Sequence, residues 1–157
     1  MRQRFGWTLA VCLIAWTSAC DQKVTPSTPV HTQIRTALKA GKQKIVLSDL
    51  QGIPVWKRAF IFGPYTSTDT IVKKLGHPWS DAKTFRLNSR DDINLAVFSN
   101  GAEVVRVEEW RRDFDCDRAI LSRPLKPKTT LVFNRDAQPP RLEASSNLLD
   151  NSNHKQF

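Results

Sequence analysis

Residues 93–110, INLAVFSNGAEVVRVEEW, contain the pattern that decides the fold. Apolar side chains recur at every second position over residues 93–97 and again over residues 105–107, which is the period of a β-strand. Between the two runs, Asn100 and Gly101 tolerate the positive φ angles that a two-residue type I′ turn requires. The stretch therefore predicts an antiparallel hairpin closed by a type I′ turn.

Upstream of the hairpin, residues 66–78, TSTDTIVKKLGHP, carry the signals of a helix. Ser67 or Thr66 can cap the N-terminus, and Gly76 followed by Pro78 ends the helix. The predicted apolar face consists of Ile71, Val72 and Leu75. This helix would pack on the sheet that contains the hairpin.

Further strands are predicted before and after these two elements. The β-branched and aromatic runs at residues 44–50 and 56–65 precede the helix, and a last strand lies at 129–135, after a loop over 112–128. The sequence thus predicts an α+β fold, with a small antiparallel sheet of about four to five strands and one helix packed on it. The single domain would span residues 43–136.

The segments on either side of this domain are polar. Residues 20–42 are expected to hold an extended tether at 21–29 and a possible short helix at 30–41, which would be stable only if it docks on another element. Residues 137–157 are rich in Pro, Ser, Asn and Gln with almost no aromatic side chains. They are predicted to form a disordered polar tail.

The start of the chain has the composition of a signal peptide. Arg2 and Arg4 precede an apolar run at residues 7–16, and small side chains follow at 17–19. A transmembrane helix needs about 20 residues, so this run is too short to span a bilayer. Residues 1–19 are therefore predicted to be a signal peptide for export.

Residues 17–20, TSAC, resemble a bacterial lipobox, in which small residues precede an obligatory cysteine. The resemblance implies cleavage between Ala19 and Cys20, with a diacylglycerol thioether on Cys20 and acyl chains such as palmitate as the membrane anchor. The sequence departs from the pattern at Thr17, where most lipoboxes carry Leu. A plain secretory signal, with a small-x-small site ending at Ala19, is the alternative.

The two alternatives differ in what they predict for Cys116. Cys12 leaves with the signal peptide in both cases. If Cys20 carries lipid, Cys116 is a lone thiol, shielded by Phe114 and Ile120 and raised in pKa by neighbouring aspartates. If the signal is plain, Cys20 and Cys116 are an even pair in an oxidising compartment, where a disulfide is expected.

Charge and the residue after Cys20 bear on location and partners. Asp21 resembles the inner-membrane retention signal of lipoproteins in enteric-type bacteria, which implies the periplasmic face of the inner membrane. The chain has 24 Lys and Arg against 15 Asp and Glu, and removal of residues 1–19 leaves an excess of seven positive charges. Such a charge favours anionic surfaces, while export argues against nucleic acid as a partner.

The sequence offers few candidates for chemistry. His77 and Cys116 could pair as base and nucleophile, but no orienting partner is evident. The run DFDCD at 113–117 resembles a calcium loop that lacks its required Gly and Glu, so ion pairs with arginine are favoured. Tyr65 is expected to pack over the edge of the core with its hydroxyl in water. No catalytic, metal or cofactor site is predicted, and the protein is not expected to be an enzyme.

Two resemblances concern the domain as a whole. The segment 47–115, with "LSDL…W…AFIFGPYTSTDTIVKKLG" followed by "DDINLAVFSNGAEVV", resembles an uncharacterised family of small exported bacterial proteins with a strand-PYT-helix-hairpin core. The helix ending in LGHP and the following strands also resemble envelope lipoproteins of the BamE/SmpA type, although two strands precede the helix here. Both resemblances imply an envelope location and neither implies a mechanism.

Together these features predict a membrane-anchored envelope lipoprotein that acts as a non-enzymatic binding or accessory module. Its partners would be the membrane, through the lipid on Cys20, and an envelope protein or wall polymer. The alternative is a periplasmic inhibitor or immunity protein that blocks a hydrolase or toxin by inserting a loop.

Lipidation gives the first testable prediction. The N-terminal peptide of the mature protein should begin at Cys20 and carry the mass of a diacylglycerol and an amide-linked acyl chain, and Cys20→Ser should abolish that increment. Intact-mass spectrometry of protein from membranes measures both. A wild-type protein that begins at Cys20 with no added mass would contradict the lipobox interpretation.

Overall fold

Three α-helices and seven strands build residues 28–145, the part of the chain that the computed structural model describes. The helices are α1 (Val30–Lys39), α2 (Thr68–Leu75) and α3 (Arg118–Ser122), and the strands are β1 (Lys44–Val46), β2 (Arg58–Phe62), β3 (Ile93–Ser99), β4 (Val104–Arg111), β5 (Asp115–Cys116), β6 (Thr130–Asn134) and β7 (Arg141–Ser145). Short 3-10 helices lie at Leu47–Asp49, Ser80–Phe85 and Leu87–Ser89. The predicted α+β class is confirmed.

The predicted hairpin is present and lies at the centre of the fold. β3 pairs antiparallel with β4 on one side and with β2 on the other. All seven residues of β3 are buried, because the strand separates two cores. Leu95 and Val97 face the core that contains α2, whereas Ala96 and Phe98 face the core that contains α1.

The turn of the hairpin differs from the predicted type I′ geometry. Four residues connect the strands, since β4 begins only at Val104, and of the two central residues only Gly101 has a positive φ, 106°. The Asn100 side-chain oxygen instead accepts hydrogen bonds from the N–H groups of Ala102 (2.9 Å) and Glu103 (3.0 Å). This side-chain-to-backbone bonding stabilises a longer loop than the sequence pattern indicated.

α2 follows its sequence signals closely. The Ser67 hydroxyl accepts a hydrogen bond from the Thr70 N–H at 3.2 Å, and Gly76 ends the helix in the left-handed conformation with φ 77°. Ile71 and Leu75 are buried against the three-stranded sheet. Local capping and an apolar face were sufficient to predict this element.

The strands form two sheets, where the sequence predicted one antiparallel sheet. The second sheet has the order β1-β6-β7-β5, and its β5–β7 pair is parallel. β5 and α3 lie in the segment 112–128 that was predicted to be a loop. A two-residue strand and a five-residue helix carry too little periodicity to be recognised before their tertiary partners are known.

β7 corrects the prediction that residues 137–157 are disordered throughout. Arg141–Ser145 pairs along its whole length with β6. Only Leu142 in this strand is buried, so the strand is stabilised mainly by its backbone ladder. With a single buried apolar residue in a polar segment, the sequence did not indicate a strand. Residues 146–157 lie outside the described part of the chain.

α1 corrects the predicted domain boundary at residue 43. Val30, Ile34 and Leu38 are buried, with exposures of 0%, 0% and 9%, in a core that they share with the inward faces of both sheets. The helix that could have remained a free tether is therefore part of the domain. The folded unit begins at about residue 30.

One carboxylate holds the N-terminus of α1 to β4. Glu108, whose side chain is 8% exposed, accepts hydrogen bonds from the N–H groups of Val30 (3.0 Å) and His31 (3.2 Å). It also accepts from the Trp110 indole N–H (3.3 Å) and forms an ion pair with Arg106 (2.6 Å). The negative charge satisfies two N–H groups that the first turn of a helix leaves without a partner.

His31 lies beside this carboxylate as a buried ring. It stacks on Trp110 and contacts Phe114, with ring centroids 6.1 and 5.4 Å apart. Burial lowers the pKa of His31, and the Asp113 carboxylate, 3.8 Å from Nε2, opposes that effect only in part. Burial therefore favours the neutral form of the imidazole.

Removal of the Glu108 charge should undock α1. In Glu108→Gln an amide NH₂ group replaces one carboxylate oxygen, although all four partners of this side chain are donors. Hydrogen bonds to charged groups contribute about 1.5–3 kcal/mol to stability. We expect the free energy of unfolding in urea to fall by about 2 kcal/mol. The control is Glu109→Gln, which removes an exposed ion pair with Arg90 and should cost less than about 1 kcal/mol. Equal losses in the two variants would contradict the proposed role of Glu108.

Candidate binding cleft

The outer edge of β2 is only partly covered. Ala59 exchanges two hydrogen bonds with Leu125, of 2.8 and 2.7 Å. Backbone groups of alternate residues in an antiparallel strand point to the same edge, so the N–H and C=O of Ile61 also point outward from the sheet. Within residues 28–145, the backbone hydrogen bonds outside the helices and sheet ladders include none to these two groups. Ile61 itself is 2% exposed and lines a cleft between α2 and α3.

The cleft has a volume of about 100 Å³ and mostly apolar walls. Phe60 and Phe62, whose ring centroids are 6.0 Å apart, form one side, and Leu121 and Pro124 form the other. Because both aromatic residues are in β2 and at most 3% exposed, this side is rigid. The cleft is preformed by regular secondary structure.

Three cationic residues also line this cleft. The Arg58 guanidinium stands 5.6 Å from the centroid of the Phe60 ring and donates to the Leu75 carbonyl at 3.3 Å. The Lys74 ammonium group reaches across to the Leu121 carbonyl at 2.9 Å. Arg123 is the third cation in the lining.

These cations retain most of their hydrogen-bonding capacity. Arginine has five N–H donors and lysine has three, yet Arg58 and Lys74 each donate to one carbonyl, and the Arg123 side chain has no hydrogen bond to another described residue. The residues that line the cleft include no Asp or Glu. The arrangement can therefore bind a group that is both anionic and partly apolar.

The Cys116 thiol, predicted to be shielded and to have a raised pKa, lies outside this cleft. Cys116 is a free cysteine in the described structure and is half-buried beside the core that contains Phe114 and Ile120. Burial, and secondarily the Asp115 carboxylate, raises the pKa of Cys116 to about 12. The Asn94 side-chain amide approaches its sulfur at 3.8 Å.

His77 does not form a catalytic pair with Cys116. Its Nε2 atom is 3.2 Å from the Ser99 hydroxyl, at the turn end of β3. Cys116 contacts Asn94, near the opposite end of the same strand. Five residues of extended chain separate the two sites by roughly 17 Å, which is far beyond proton-transfer distance.

The aspartates of the DFDCD run diverge and do not surround a common point. Asp113 pairs with Arg35 at 3.0 Å and Asp115 with Arg112 at 2.8 Å, while Asp117 caps α3. Among residues 28–145 no group of three or more His, Cys, Asp or Glu side chains is placed to hold a metal ion. The ion-pair interpretation of this run agrees with these contacts.

Tyr65 is more exposed than predicted. Its side chain is 64% exposed and does not pack over the edge of the core. Its backbone has φ 60°, a left-handed conformation that is costly for a bulky residue. The Tyr65 N–H donates to the Leu87 carbonyl at 2.9 Å, which helps to hold this strained loop in place.

Sequence reasoning did not identify Arg58, Lys74 and Arg123 as one cluster. They lie in three elements, and nothing in their spacing distinguishes them from other basic residues. Cys20 lies outside the described residues, so its role remains a prediction. None of the described helices is long and apolar enough to cross a membrane.

Comparisons of the chain with protein-family models, with curated proteins and with solved structures find no match.

The environment of Cys116 gives a prediction about its reactivity. With a pKa of about 12, only about one thiol in 10⁴ is ionised at pH 8, so the folded protein should react with a disulfide reagent at least about tenfold more slowly than free cysteine. The urea-unfolded protein, as the control, should react at the ordinary rate. Cys116→Ser should change the free energy of unfolding by less than about 1 kcal/mol. A Cys116–Cys20 disulfide in unreduced protein would refute both this prediction and the lipid anchor.

Proposed function

We propose that the protein is a lipid-anchored envelope protein that acts as a non-enzymatic binding module, with the cleft between α2 and α3 as its binding site. The lipobox-like stretch ending at Cys20 supports the anchor. The cleft, which the sequence alone did not reveal, supports the binding role.

The observation that carries the binding role is the set of unsaturated donors over an apolar surface. Arg58 and Lys74 stand over aromatic rings of a rigid strand with most of their N–H groups unused. Cation and apolar wall together favour a ligand that presents a negative group beside a hydrophobic one. Cys116, the candidate nucleophile, has a raised pKa and lies far from His77, which contacts Ser99 instead; this favours binding over catalysis.

A second candidate function is inhibition of an enzyme by an inserted loop. Tyr65 supports this alternative, because a large exposed side chain on a strained loop is typical of a residue that contacts a partner. In this case the loop between β2 and α2, and not the cleft, would make the decisive contact.

Crosslinking of the anchored protein in cells, followed by its purification, can separate these candidates. Lys74→Glu places an acid in the cleft, and Lys73→Glu makes the same charge change on the same helix outside the cleft lining. We expect Lys74→Glu to lose the partner that wild type captures, while Lys73→Glu and Tyr65→Ala retain it. Loss in Tyr65→Ala alone would support the inhibitor, and retention in all three variants would refute both candidates.

A further inference from the structure

The cleft is built by chain segments whose charged side chains are all cationic. Its lining residues come from β2 and the loops beside it (50–67), from α2 and the residues that follow (70–80), and from α3 through β6 (118–134). None of these three ranges contains Asp or Glu. Beyond the three cations of the lining, they add exposed Lys57, Lys73, Arg118, Lys126 and Lys128.

The nearest carboxylates along the chain are held outside these ranges. Asp69 lies in the first turn of α2, and Asp117 caps α3 and is 3.9 Å from the Arg141 guanidinium. The surface around the cleft, formed by the three ranges, is therefore of one sign. Such a surface concentrates anions near it and favours a partner that is itself an extended anionic surface.

An exposed apolar side chain lies at the margin of the same surface. Val55 is 87% exposed and precedes Arg58 by three residues, so the two Cα atoms are at most about 11 Å apart. A protein that binds at the surface of a bilayer places apolar groups at the acyl boundary and keeps its cations beside the anionic headgroups. Val55 with Lys57 and Arg58 has this composition.

The cleft has room for one phosphate group. Its volume is about 100 Å³, whereas a single water needs only about 10–15 Å³ and a cavity that holds benzene has roughly 150 Å³. Exposed Lys74 and Arg123 line the cleft, so a phosphate can be reached by them from outside the domain. An arginine can donate to two phosphate oxygens at once, and the apolar walls suit the hydrocarbon part of a lipid.

The position of the predicted anchor allows this surface to reach the bilayer. The first turn of α1 is held by Glu108 in β4, and β4 and β2 are the outer strands of a three-stranded sheet, so about 10 Å separates them. The chain from Cys20 to Thr28 can span at most about 30 Å. That length is sufficient for the outer edge of β2 to face the membrane.

We propose that this cationic surface docks on the anionic phospholipids of the membrane that holds the anchor, with a lipid phosphate in the cleft. Arg58, Lys74 and Arg123 donate to the phosphate oxygens, and Val55 lies among the headgroups. The domain is then held against the bilayer. This assignment rests on the proposed lipid anchor and binding cleft, and it names the ligand of the cleft.

The test uses the mature lipidated protein, reconstituted in vesicles, with Val55→Cys labelled by a fluorophore that brightens in an apolar environment. The slow reaction expected of Cys116 directs the label to residue 55. Adding phosphatidylglycerol to phosphatidylcholine vesicles should raise the emission at least about twofold, because the anionic surface attracts the cations beside the label. Raising the ionic strength from about 0.1 to 1 M should reverse the increase, because salt screens exposed charges.

Charge-reversal variants locate the effect in the cleft. Lys74→Glu and Arg123→Glu should each reduce the emission increase at least about twofold, because they place an acid where the phosphate would lie. Lys39→Glu is the matched control, since it makes the same charge change at the exposed end of α1, outside the three ranges. Near-ultraviolet circular dichroism checks that each variant is folded. Equal emission in the two kinds of vesicle, or an equal effect of Lys39→Glu and Lys74→Glu, would overturn the assignment.

These outcomes separate the lipid ligand from the binding function itself. If emission is the same in both kinds of vesicle but Lys74→Glu loses a crosslinked protein in cells, the cleft binds that protein and the lipid assignment fails. If emission depends on phosphatidylglycerol and on Lys74 but no crosslinked protein does, the lipid assignment stands and the protein-binding role fails.

Discussion

The fold depends on a single carboxylate between the N-terminal helix and the central hairpin. Glu108 is nearly buried and accepts from two N–H groups of α1, from an indole and from a guanidinium. A buried helix N-terminus without such an acceptor would leave its first N–H groups unsatisfied, at a cost of about 1–3 kcal/mol each. With it, the apolar face of α1 joins a core shared by both sheets.

β3 lies between that core and a second one, and this central position leaves β2 at the edge of the sheet, where the cleft is formed. A strand buried on both faces needs cover on both sides, which α2 supplies on one face, and α1 with the second sheet on the other. β2 is left as an outer strand of its sheet. Leu125 pairs with Ala59 on that edge and α3 packs beside it, which leaves a cleft lined by Ile61 between α2 and α3.

The protein is basic throughout, but the cations of the cleft differ from most others in their partners. Many of the acidic side chains of the domain pair with arginine: Glu108 with Arg106, Glu109 with Arg90 and Asp115 with Arg112. Within each pair, which lies on β4 or beside it, the two charges neutralise each other. In the cleft, Arg58 and Lys74 have carbonyl groups and aromatic rings as partners instead, so their charge is available to a ligand.

By itself the sequence determined the elements whose information is local: the caps and apolar face of α2, the alternating strands of the hairpin, and the α+β class. It also predicts Cys20 as the lipid anchor and, if that prediction holds, Cys116 as a lone thiol. Only the tertiary structure decided that α1 docks, that β7 pairs and that three cations meet beside Ile61. The physical reason is separation along the chain, since Glu108 caps a helix 78 residues away, and no local pattern encodes a partner at that distance.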